Sequence, residues 1–399
     1  MPDGTIPDGT LAGRQLQRGA LDLDALAALA QAEAPDAEPT GTQRSLGRRG
    51  RGATTNPPVR YDRHVAESFE DGWAPLHAEP AELPPLPTTL TRDASKTAIS
   101  WNDSPDIGFD RAVNPYRGCE HGCVYCYARP SHAYLGYSPG LEFETQIVFK
   151  PDVAVLLERE LRKPGYVAQP LALGSNTDPY QPVDRTLRLT RAVLEVLDRF
   201  SHPVSIVTKS AGVLRDLDIL QRLASRGLIR VWLSVTTLDA ALARRMEPRA
   251  ATPSRRLQTI AALTRAGVPA GVLAAPMIPG LNDVELENIL TAAPQHGAAH
   301  AGYVLLRLPL ELREMFTAWL QEHGPDRARR ILALIRETRA GELNDSRFHH
   351  RFSGGGPYAD LLAQRFARAQ RQLGFLGRDA LDSTQFRCPP ARGDQLSLL

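Results

Sequence analysis

Three of the four cysteines in this 399-residue chain are crowded into eight positions, as Cys119, Cys123 and Cys126. Their spacing is C-x3-C-x2-C, within residues 114–127 (NPYRGCEHGCVYCY). Three thiolates so close along the chain can bind three irons of a [4Fe–4S] cluster and leave the fourth iron open to a substrate or cofactor. The cysteine loop therefore predicts a metal site with an open coordination position, around which the rest of the chain has to fold.

A zinc site is the alternative interpretation of the same loop. The three cysteines would then be joined by His121, His132 or Cys388 as a fourth ligand. Zinc motifs usually consist of two pairs of ligands separated by a spacer, and the sequence contains no second pair. The spacing therefore favours the iron–sulfur cluster.

The composition indicates a globular protein without a dominant charge. Hydrophobic residues make up 42% of the chain, and 47 Lys and Arg stand against 45 Asp and Glu, so net charge gives no argument for a nucleic-acid partner. Four clustered cysteines are too few for a disulfide framework and indicate a reducing compartment. The start of the chain lacks a signal-peptide pattern, and no apolar run reaches the length of a membrane span. We therefore expect a cytoplasmic protein that does not enter a membrane.

Residues 1–100 are rich in Pro, Gly, Ala and charge, which predicts a mostly disordered N-terminal region. This region carries a basic arm interleaved with glycine, formed by Arg44, Arg48, Arg49, Arg51 and Arg60. Such an arm can lie along phosphates, or it can be a solvated segment with no ligand.

Between residues 101 and 310, short apolar runs alternate with helical patterns. The runs predict strands at residues 171–174, 204–208, 229–235, 270–274 and 303–306. The patterns between them predict helices at residues 185–199, 213–226, 254–265 and 283–292. This alternation is typical of parallel βα units, whose reactive residues lie at the carboxyl ends of the strands. Residues 311–399 predict a helical C-terminal extension, with helices at 312–322, 326–339 and 358–373.

With Tyr125 directly before its last cysteine, the loop resembles the signature of the radical S-adenosylmethionine (radical SAM) enzymes. The resemblance implies a partial (β/α)6 TIM-like barrel with the cluster loop after the first strand. It also implies that Cys119, Cys123 and Cys126 bind a [4Fe–4S] cluster, that S-adenosylmethionine chelates the fourth iron, and that Tyr125 lies beside the adenine. In such enzymes, an electron from a flavodoxin- or ferredoxin-type donor leads to a 5′-deoxyadenosyl radical that abstracts hydrogen from a substrate.

Polar residues follow the predicted strands. Ser175 follows the second strand, Lys209 ends the third and Ser234 ends the fourth; ordinary turn and strand-end solvation is the alternative explanation for each. The segments around them, Ser-Asn-Thr-Asp, Thr-Lys-Ser and Ser-Val-Thr-Thr, are similar to those of the radical SAM branch that contains spore photoproduct lyase. This resemblance spans roughly residues 110–310, and uncharacterized bacterial members of the branch are the most similar. It implies that Lys209 and Ser234 contact the cofactor's carboxylate and that Ser175 also contacts the cofactor.

Two later segments supply further candidates. Met277 and Ile278 resemble the family's fifth-strand segment, which packs on the adenine; plain core packing is the alternative. Glu247 and Arg249 follow the fourth strand and are candidates for an ion pair that faces the substrate, with a surface salt bridge as the alternative.

Near the C-terminal Gly-rich turn, Arg347, His349, His350 and Arg351 form a basic group. They are candidates for contact with an anionic substrate, although isolated histidine pairs are more often surface residues. A nucleic acid is therefore one candidate substrate.

One departure from the lyase bears on the reaction. The lyase keeps a cysteine near its second strand to donate hydrogen to the product radical, and residues 173–178 of this chain contain none. Repair of DNA photoproducts by the same route is therefore disfavoured, but it stays an alternative, as does a zinc-stabilised nucleic-acid-binding protein without catalysis. The sequence assigns no catalytic residue, and it specifies neither the substrate, the role of Cys388, nor the oligomeric state.

Overall fold

The computed structural model describes residues 50–61, 86–377 and 380–390. The chain divides into two units, Met1–Thr42 and Gln43–Leu399, and all described residues belong to the second. The predicted disorder of residues 1–49 and 62–85, including Arg44, Arg48 and Arg49 of the basic arm, falls outside the described residues.

A sheet of mostly parallel strands forms the centre of the fold. The strands of the described residues are β1 (Thr89–Arg92), β2 (Ile99–Trp101), β3 (Arg111–Val113), β4 (Tyr116–Arg117), β5 (Gln146–Phe149), β6 (Leu171–Leu173), β7 (Val204–Thr208), β8 (Ile229–Ser234), β9 (Ala270–Met277) and β10 (His300–Leu305). The larger sheet has the order β10-β9-β8-β7-β6-β3-β2, with every pairing parallel except that of β2 with β3. A smaller sheet has the order β1-β5-β4.

Helices connect the parallel strands and continue after the last one. The α-helices of the described residues are α1 (Glu142–Thr145), α2 (Val153–Leu161), α3 (Asp184–Leu187), α4 (Leu189–Arg199), α5 (Leu217–Ala224), α6 (Ala240–Met246), α7 (Pro253–Arg265), α8 (Leu286–Gln295), α9 (Leu312–His323), α10 (Pro325–Glu337) and α11 (Pro357–Gln372). Short 3-10 helices lie at Arg129–Leu135, Ala211–Asp216 and Asp283–Glu285. Within the described ranges, no helix is long and apolar enough to cross a membrane.

Six consecutive parallel strands joined by helices make a partial (β/α)6 barrel, so the predicted fold class is confirmed. The strands are buried because helices cover the outer face of the sheet and the apolar side chains of the strands pack against one another on the inner face. Val204, Ile206 and Val231 are fully inaccessible to solvent. We call the end where the carboxyl ends of β3 and β6–β10 meet the mouth of the barrel, and the opposite end its base. Helices α9, α10 and α11 form the predicted C-terminal helical extension.

The element boundaries differ from the predicted ones where local backbone features intervene. The helix predicted at residues 185–199 is interrupted at Arg188, whose φ of 52° is left-handed, and it divides into α3 and α4. Strand β9 continues to Met277 through Pro276, three residues beyond the predicted end. Strand β10 begins at His300 rather than at residue 303, because pairing with β9 includes the less apolar His-Ala-Gly start.

Residues 50–61 form a segment, here called the strap, that packs against the cysteine loop. Arg51 is only 9% exposed and donates hydrogen bonds to the carbonyls of Glu144 (2.8 Å) and Leu86 (2.6 Å). Arg60 donates to the carbonyl of Pro130 (2.9 Å). Arg60 also pairs with the carboxylate of Glu311. These two arginines of the basic arm therefore bind the protein itself, which matches neither the predicted phosphate contact nor the predicted solvated arm.

Candidate functional site

The cysteine loop follows β4 at the mouth of the barrel and is fixed by backbone contacts to other elements. The Cys119 amide donates to the Phe143 carbonyl (2.9 Å), and the Val124 amide donates to the Met246 carbonyl at the end of α6 (3.0 Å). The loop conformation is thus set by elements that are distant in sequence.

A buried ion pair holds the cysteine loop in place. Arg129 and Glu144 are both fully buried, and Arg129 Nη2 contacts Glu144 Oε1 at 2.5 Å. Arg129 Nε also donates to the Cys123 carbonyl (2.8 Å), while Glu144 accepts the strap amides of Gly52 (2.9 Å) and Ala53 (2.8 Å). Because every charged atom in this pair has partners, the pair can be buried, and it links the strap to the loop.

The three cysteine side chains are withdrawn from solvent. Cys119 and Cys123 are buried and Cys126 is half-buried. Burial raises the pKa of all three thiols, that of Cys123 to about 12. The positive charge of Lys209 opposes this rise in pKa at Cys123 and Cys126. Buried thiols of this kind become thiolates when a metal binds them, which suits a metal cluster.

In the described part of the chain, no group of three or more His, Cys, Asp or Glu side chains is arranged to hold a single metal ion. Thiolates that each bind a different iron of a cluster have no need to converge on one point.

Beside the loop, the predicted residues Lys209, Ser234 and Tyr125 come together. Lys209 Nζ donates to Ser234 Oγ (2.8 Å) and lies 5.7 Å from the centre of the Tyr125 ring. Ser234 Oγ in turn donates to the Ala275 carbonyl (2.9 Å). These side chains converge because the carboxyl ends of β7, β8 and β9 meet at the mouth.

A buried polar network anchors Tyr125. Its hydroxyl lies 3.1 Å from Thr236 Oγ1 and hydrogen bonds to the carboxylate of Glu247. Glu247 also pairs with Arg256, whose Nη1 donates to the Ser234 carbonyl (2.9 Å). Burial opposes ionisation of Glu247, but the charges of Arg256 and Lys209 outweigh it and lower the pKa to about 2. The charged network fixes both the ring of Tyr125 and the backbone beside Lys209.

A second polar junction joins the ends of β6 and β7. The carboxylate of Asp178 accepts hydrogen bonds from Thr208 Oγ1 and from the Lys209 amide, both 2.7 Å long, and lies 3.3 Å from His121 Nδ1. Burial raises the pKa of Asp178, but His121 and these hydrogen bonds outweigh it and lower the pKa to about 2. An ionised Asp178 therefore holds Lys209 and the cysteine loop in position.

Comparison of the sequence with known proteins decides the family. The profile of the radical SAM superfamily matches residues 113–293. The chain is 37% identical over 232 residues to an uncharacterized protein of Mycobacterium tuberculosis, a match that covers 58% of this chain and 68% of that protein. The chain belongs to the radical SAM superfamily. A more distant relative, an uncharacterized protein of Methanocaldococcus jannaschii, is 29% identical over 178 residues, covering 45% of this chain and 64% of that protein.

Solved structures support the radical SAM fold. Spore photoproduct lyase complexed with dinucleoside spore photoproduct has a TM-score of 0.52 and 16% identity, covering 71% of this chain and 79% of that chain. A double mutant of the lyase with bound AdoMet and dinucleoside spore photoproduct has a TM-score of 0.50 and 15% identity, covering 71% and 78%. At this level of identity the likeness shows the fold alone.

The other predicted cofactor residues of this radical SAM chain lie elsewhere at the mouth. Ser175 Oγ accepts a hydrogen bond from Asn114 Nδ2 (3.3 Å), and its carbonyl accepts one from the Tyr127 hydroxyl. Met277 is fully buried at the end of β9 and packs in the main core, and Ile278 is fully buried in a second core cluster. Both apolar side chains therefore lie in the core, which is the alternative role predicted for them.

The prediction that Glu247 and Arg249 form an ion pair is wrong. Glu247 is buried and pairs with Arg256 on α7, whereas Arg249 pairs with Glu120 of the cysteine loop (3.2 Å). The backbone turns between residues 247 and 249 because the Arg249 amide donates to the His121 carbonyl (3.3 Å). The two side chains therefore point to different neighbours.

The candidates for a fourth zinc ligand are dispersed. His121 lies against Asp178, and His132 is buried between aromatic rings, where burial lowers its pKa to about 4. Cys388 is exposed, with its Sγ 3.5 Å from Arg162 Nη1.

Sequence reasoning missed several residues that shape the site, among them Asn114, Arg129, Glu144 and Arg256. Asn114 and Arg129 flank the cysteine motif, so their closeness to the motif was a usable signal. Glu144 and Arg256 had none, because their roles depend on partners brought together only by the fold.

Proposed function

We propose that this radical SAM protein is an enzyme that reductively cleaves S-adenosylmethionine at a [4Fe–4S] cluster and abstracts hydrogen from an organic substrate. The observation that carries the proposal is the contact of Lys209 with Ser234 and Tyr125, beside the loop that holds two buried cysteines and one half-buried cysteine. A cation, a hydroxyl and an aromatic ring are the groups needed for the carboxylate, polar and adenine parts of this cofactor.

In this proposal Cys119, Cys123 and Cys126 hold the cluster. When bound, the cluster supplies the electron that splits S-adenosylmethionine into methionine and a 5′-deoxyadenosyl radical. Lys209 and Ser234 orient the carboxylate, while Tyr125 offers its ring to the adenine. The cofactor roles of Ser175 and Met277 stay predictions. Met277 is fully buried, so a contact with the cofactor would have to be made by a side chain that lies in the core.

The protein's other residues position these groups. The Arg129–Glu144 pair holds the Cys123 carbonyl, and Asp178 holds the Lys209 amide, so the loop and the cation are fixed relative to each other. Burial of the loop excludes water from a reactive species, which protects it from side reactions.

The partners belong to the same proposal. A flavodoxin- or ferredoxin-type protein would deliver the electron, the reducing cytoplasm would keep the thiols available, and a nucleic acid is a candidate substrate. Spore photoproduct lyase has been solved in complex with dinucleoside spore photoproduct, and this chain shares its fold. The absence of cysteine from residues 173–178 counts against the same repair reaction.

The test is anaerobic reconstitution of the full chain. We expect about four irons and four sulfides per chain, and release of 5′-deoxyadenosine when dithionite and S-adenosylmethionine are added. Cys126→Ala should lose both, whereas Cys388→Ala should retain both because Cys388 is exposed beside Arg162. A colourless protein that holds one zinc ion would refute the proposal, and irradiated DNA as a substrate would test the repair alternative directly.

A further inference from the structure

The mouth of the barrel contains a second cationic group, distant in sequence from Lys209. Arg307 follows the carboxyl end of β10, and its guanidinium carbon lies 5.5 Å from the ring centre of Tyr127 and 4.7 Å from that of Phe352. Tyr127 comes directly after Cys126. Arg307 therefore lies next to the cysteine loop. It follows the edge strand β10, whereas Lys209 follows β7, three strands along in the sheet order.

Arg307 lacks the partners that other arginines of this region have. Its Nε is inaccessible to solvent and has no hydrogen-bond partner, and throughout residues 50–61, 86–377 and 380–390 no carboxylate lies within ion-pair distance of it. Arg351 is close by but pairs with Asp106 (2.7 Å). A buried guanidinium nitrogen without an acceptor is costly, so it indicates an acceptor supplied by a ligand.

The surroundings of Arg307 are positively charged overall. Four arginines lie here with only two aspartates. Asp106 pairs with Arg351, and Asp345 pairs with Arg347. Arg307 and Arg339 have no carboxylate partner among the described residues. Arg339 is instead satisfied in part by carbonyls, including that of Leu306 (2.6 Å). The excess of positive charge favours an anion at this place.

Aromatic rings lie beside this charge. Tyr127 is 46% exposed and Phe348 is 43% exposed, although each ring has an arginine over it. The segment that carries Phe348 is fixed to the barrel, because the Leu305 amide donates to the Phe352 carbonyl (2.9 Å). Exposed rings interleaved with arginines are the groups on which bases stack while phosphates are bound.

We propose that Arg307 binds a phosphate group of the substrate, with the rings of Tyr127 and Phe348 open to an attached base. A planar guanidinium can bind two oxygens of a phosphate at once, and here it is held in one orientation between Tyr127 and Phe352. The substrate would therefore be a nucleotide unit, either free or within a polynucleotide strand. The inference rests on the proposed function only in taking the mouth as the place where the substrate lies.

The test is equilibrium binding to the reconstituted full chain without reductant, so cleavage of S-adenosylmethionine is not the readout. Fluorescence anisotropy would follow a labelled twelve-nucleotide oligothymidylate, and thymidine monophosphate would serve as competitor. We expect saturable binding that Arg307→Met weakens by about ten- to a hundred-fold, since a hydrogen bond to a charged group is lost. Competition by the mononucleotide would identify a free nucleotide as sufficient, and its failure would identify the strand.

Two variants accompany Arg307→Met. Arg307→Lys keeps the charge but loses the planar fork, and it should also weaken binding, which decides the matter if the methionine variant does not fold. Arg265→Met removes an exposed arginine at the carboxyl end of α7, hence at the base of the barrel, and should bind both probes like the wild type. The inference is overturned if the wild type binds neither probe, or if both Arg307 variants bind as tightly as the wild type. Failure of iron loading or of 5′-deoxyadenosine release would instead count against the proposed function.

Discussion

Single residues at the mouth differ in whether their charges are already neutralised. Glu247 and Arg256 are both buried and pair with each other. In the described part of the chain, the Lys209 ammonium donates only to Ser234 Oγ and has no carboxylate within ion-pair distance. Paired charges hold the site together, whereas the incompletely neutralised ammonium is available for a ligand.

Replacing Lys209 should therefore weaken cofactor binding rather than unfold the protein. We expect Lys209→Ala to raise the Kd for S-adenosylmethionine by about ten- to a hundred-fold, the effect of losing a hydrogen bond to a charged group. Isothermal titration of the anaerobic, reconstituted protein measures this directly. Lys163→Ala, which removes an exposed lysine, is the matched control and should leave the Kd unchanged. Equal affinities for wild type and Lys209→Ala would exclude the assigned contact.

Glu247 should contribute to stability in a pH-dependent way. Its pKa is lowered from 4.5 to about 2 in the folded protein. A lowered pKa stabilises the fold above pH 4.5, and this contribution, about 3 kcal/mol by linkage, is lost as the pH falls from 4.5 towards 2.

Glu247→Gln tests this contribution. It leaves Arg256 buried without its counter-charge, so the free energy of unfolding at pH 7 should fall by about 3–5 kcal/mol. The difference between wild type and variant should shrink as the pH drops below 4.5, as measured by urea unfolding at several pH values. Glu195→Gln, at a position 48% exposed, should have little effect. A difference that does not depend on pH would contradict the assignment.

At the scale of elements, the strap is fastened to the cysteine loop by close backbone packing. A methyl group added at Gly52 would lie 1.7 Å from the Gly122 carbonyl oxygen, so only glycine allows the strap to approach. Glu144 completes the attachment by accepting the Gly52 and Ala53 amides. The strap should therefore detach when this contact is blocked.

Gly52→Ala should expose the strap to protease. Arg51 and Arg60 are trypsin sites that the attached strap protects through their carbonyl contacts. We expect cleavage after both residues to become at least several-fold faster in the variant, as followed by mass spectrometry during limited proteolysis. Gly108→Ala is the matched control, because a methyl group there meets no atom within 4 Å. Similar cleavage rates in both variants would show that the strap is not held at Gly52.

The sequence predicted the elements of the barrel better than the contacts between them. Strand Val204–Thr208 was predicted with its observed bounds because its apolar, β-branched pattern is local. The strap was missed because its attachment joins Gly52 to a carboxylate 92 residues away. The pairing of Glu247 with Arg256 was missed for a related reason: a nearer arginine, Arg249, was available in sequence, and the turn of the backbone decides between them.

On the scale of the whole molecule, the two ends of the barrel have different tasks. The cysteine loop, Lys209 and Arg307 are all at the mouth. The C-terminal residues 380–390 pack at the base, where the Phe386 ring lies 5.4 Å from Tyr166 and 5.6 Å from His202, just before the amino end of β7. In barrels of this type, the base serves stability and the mouth serves chemistry.

This division predicts that stability and cofactor binding can be changed separately. Phe386→Ala removes part of the aromatic packing at the base and should cost about 2 kcal/mol, lowering the Tm by several degrees, with an unchanged Kd for S-adenosylmethionine. Leu376→Ala is the control at a side chain 55% exposed and should lower the Tm less. Lys209→Ala should show the opposite result, a higher Kd for S-adenosylmethionine at a nearly unchanged Tm. If Phe386→Ala weakened cofactor binding as much as Lys209→Ala does, the base would be coupled to the mouth, and the separation of tasks between the two ends would not hold for this protein.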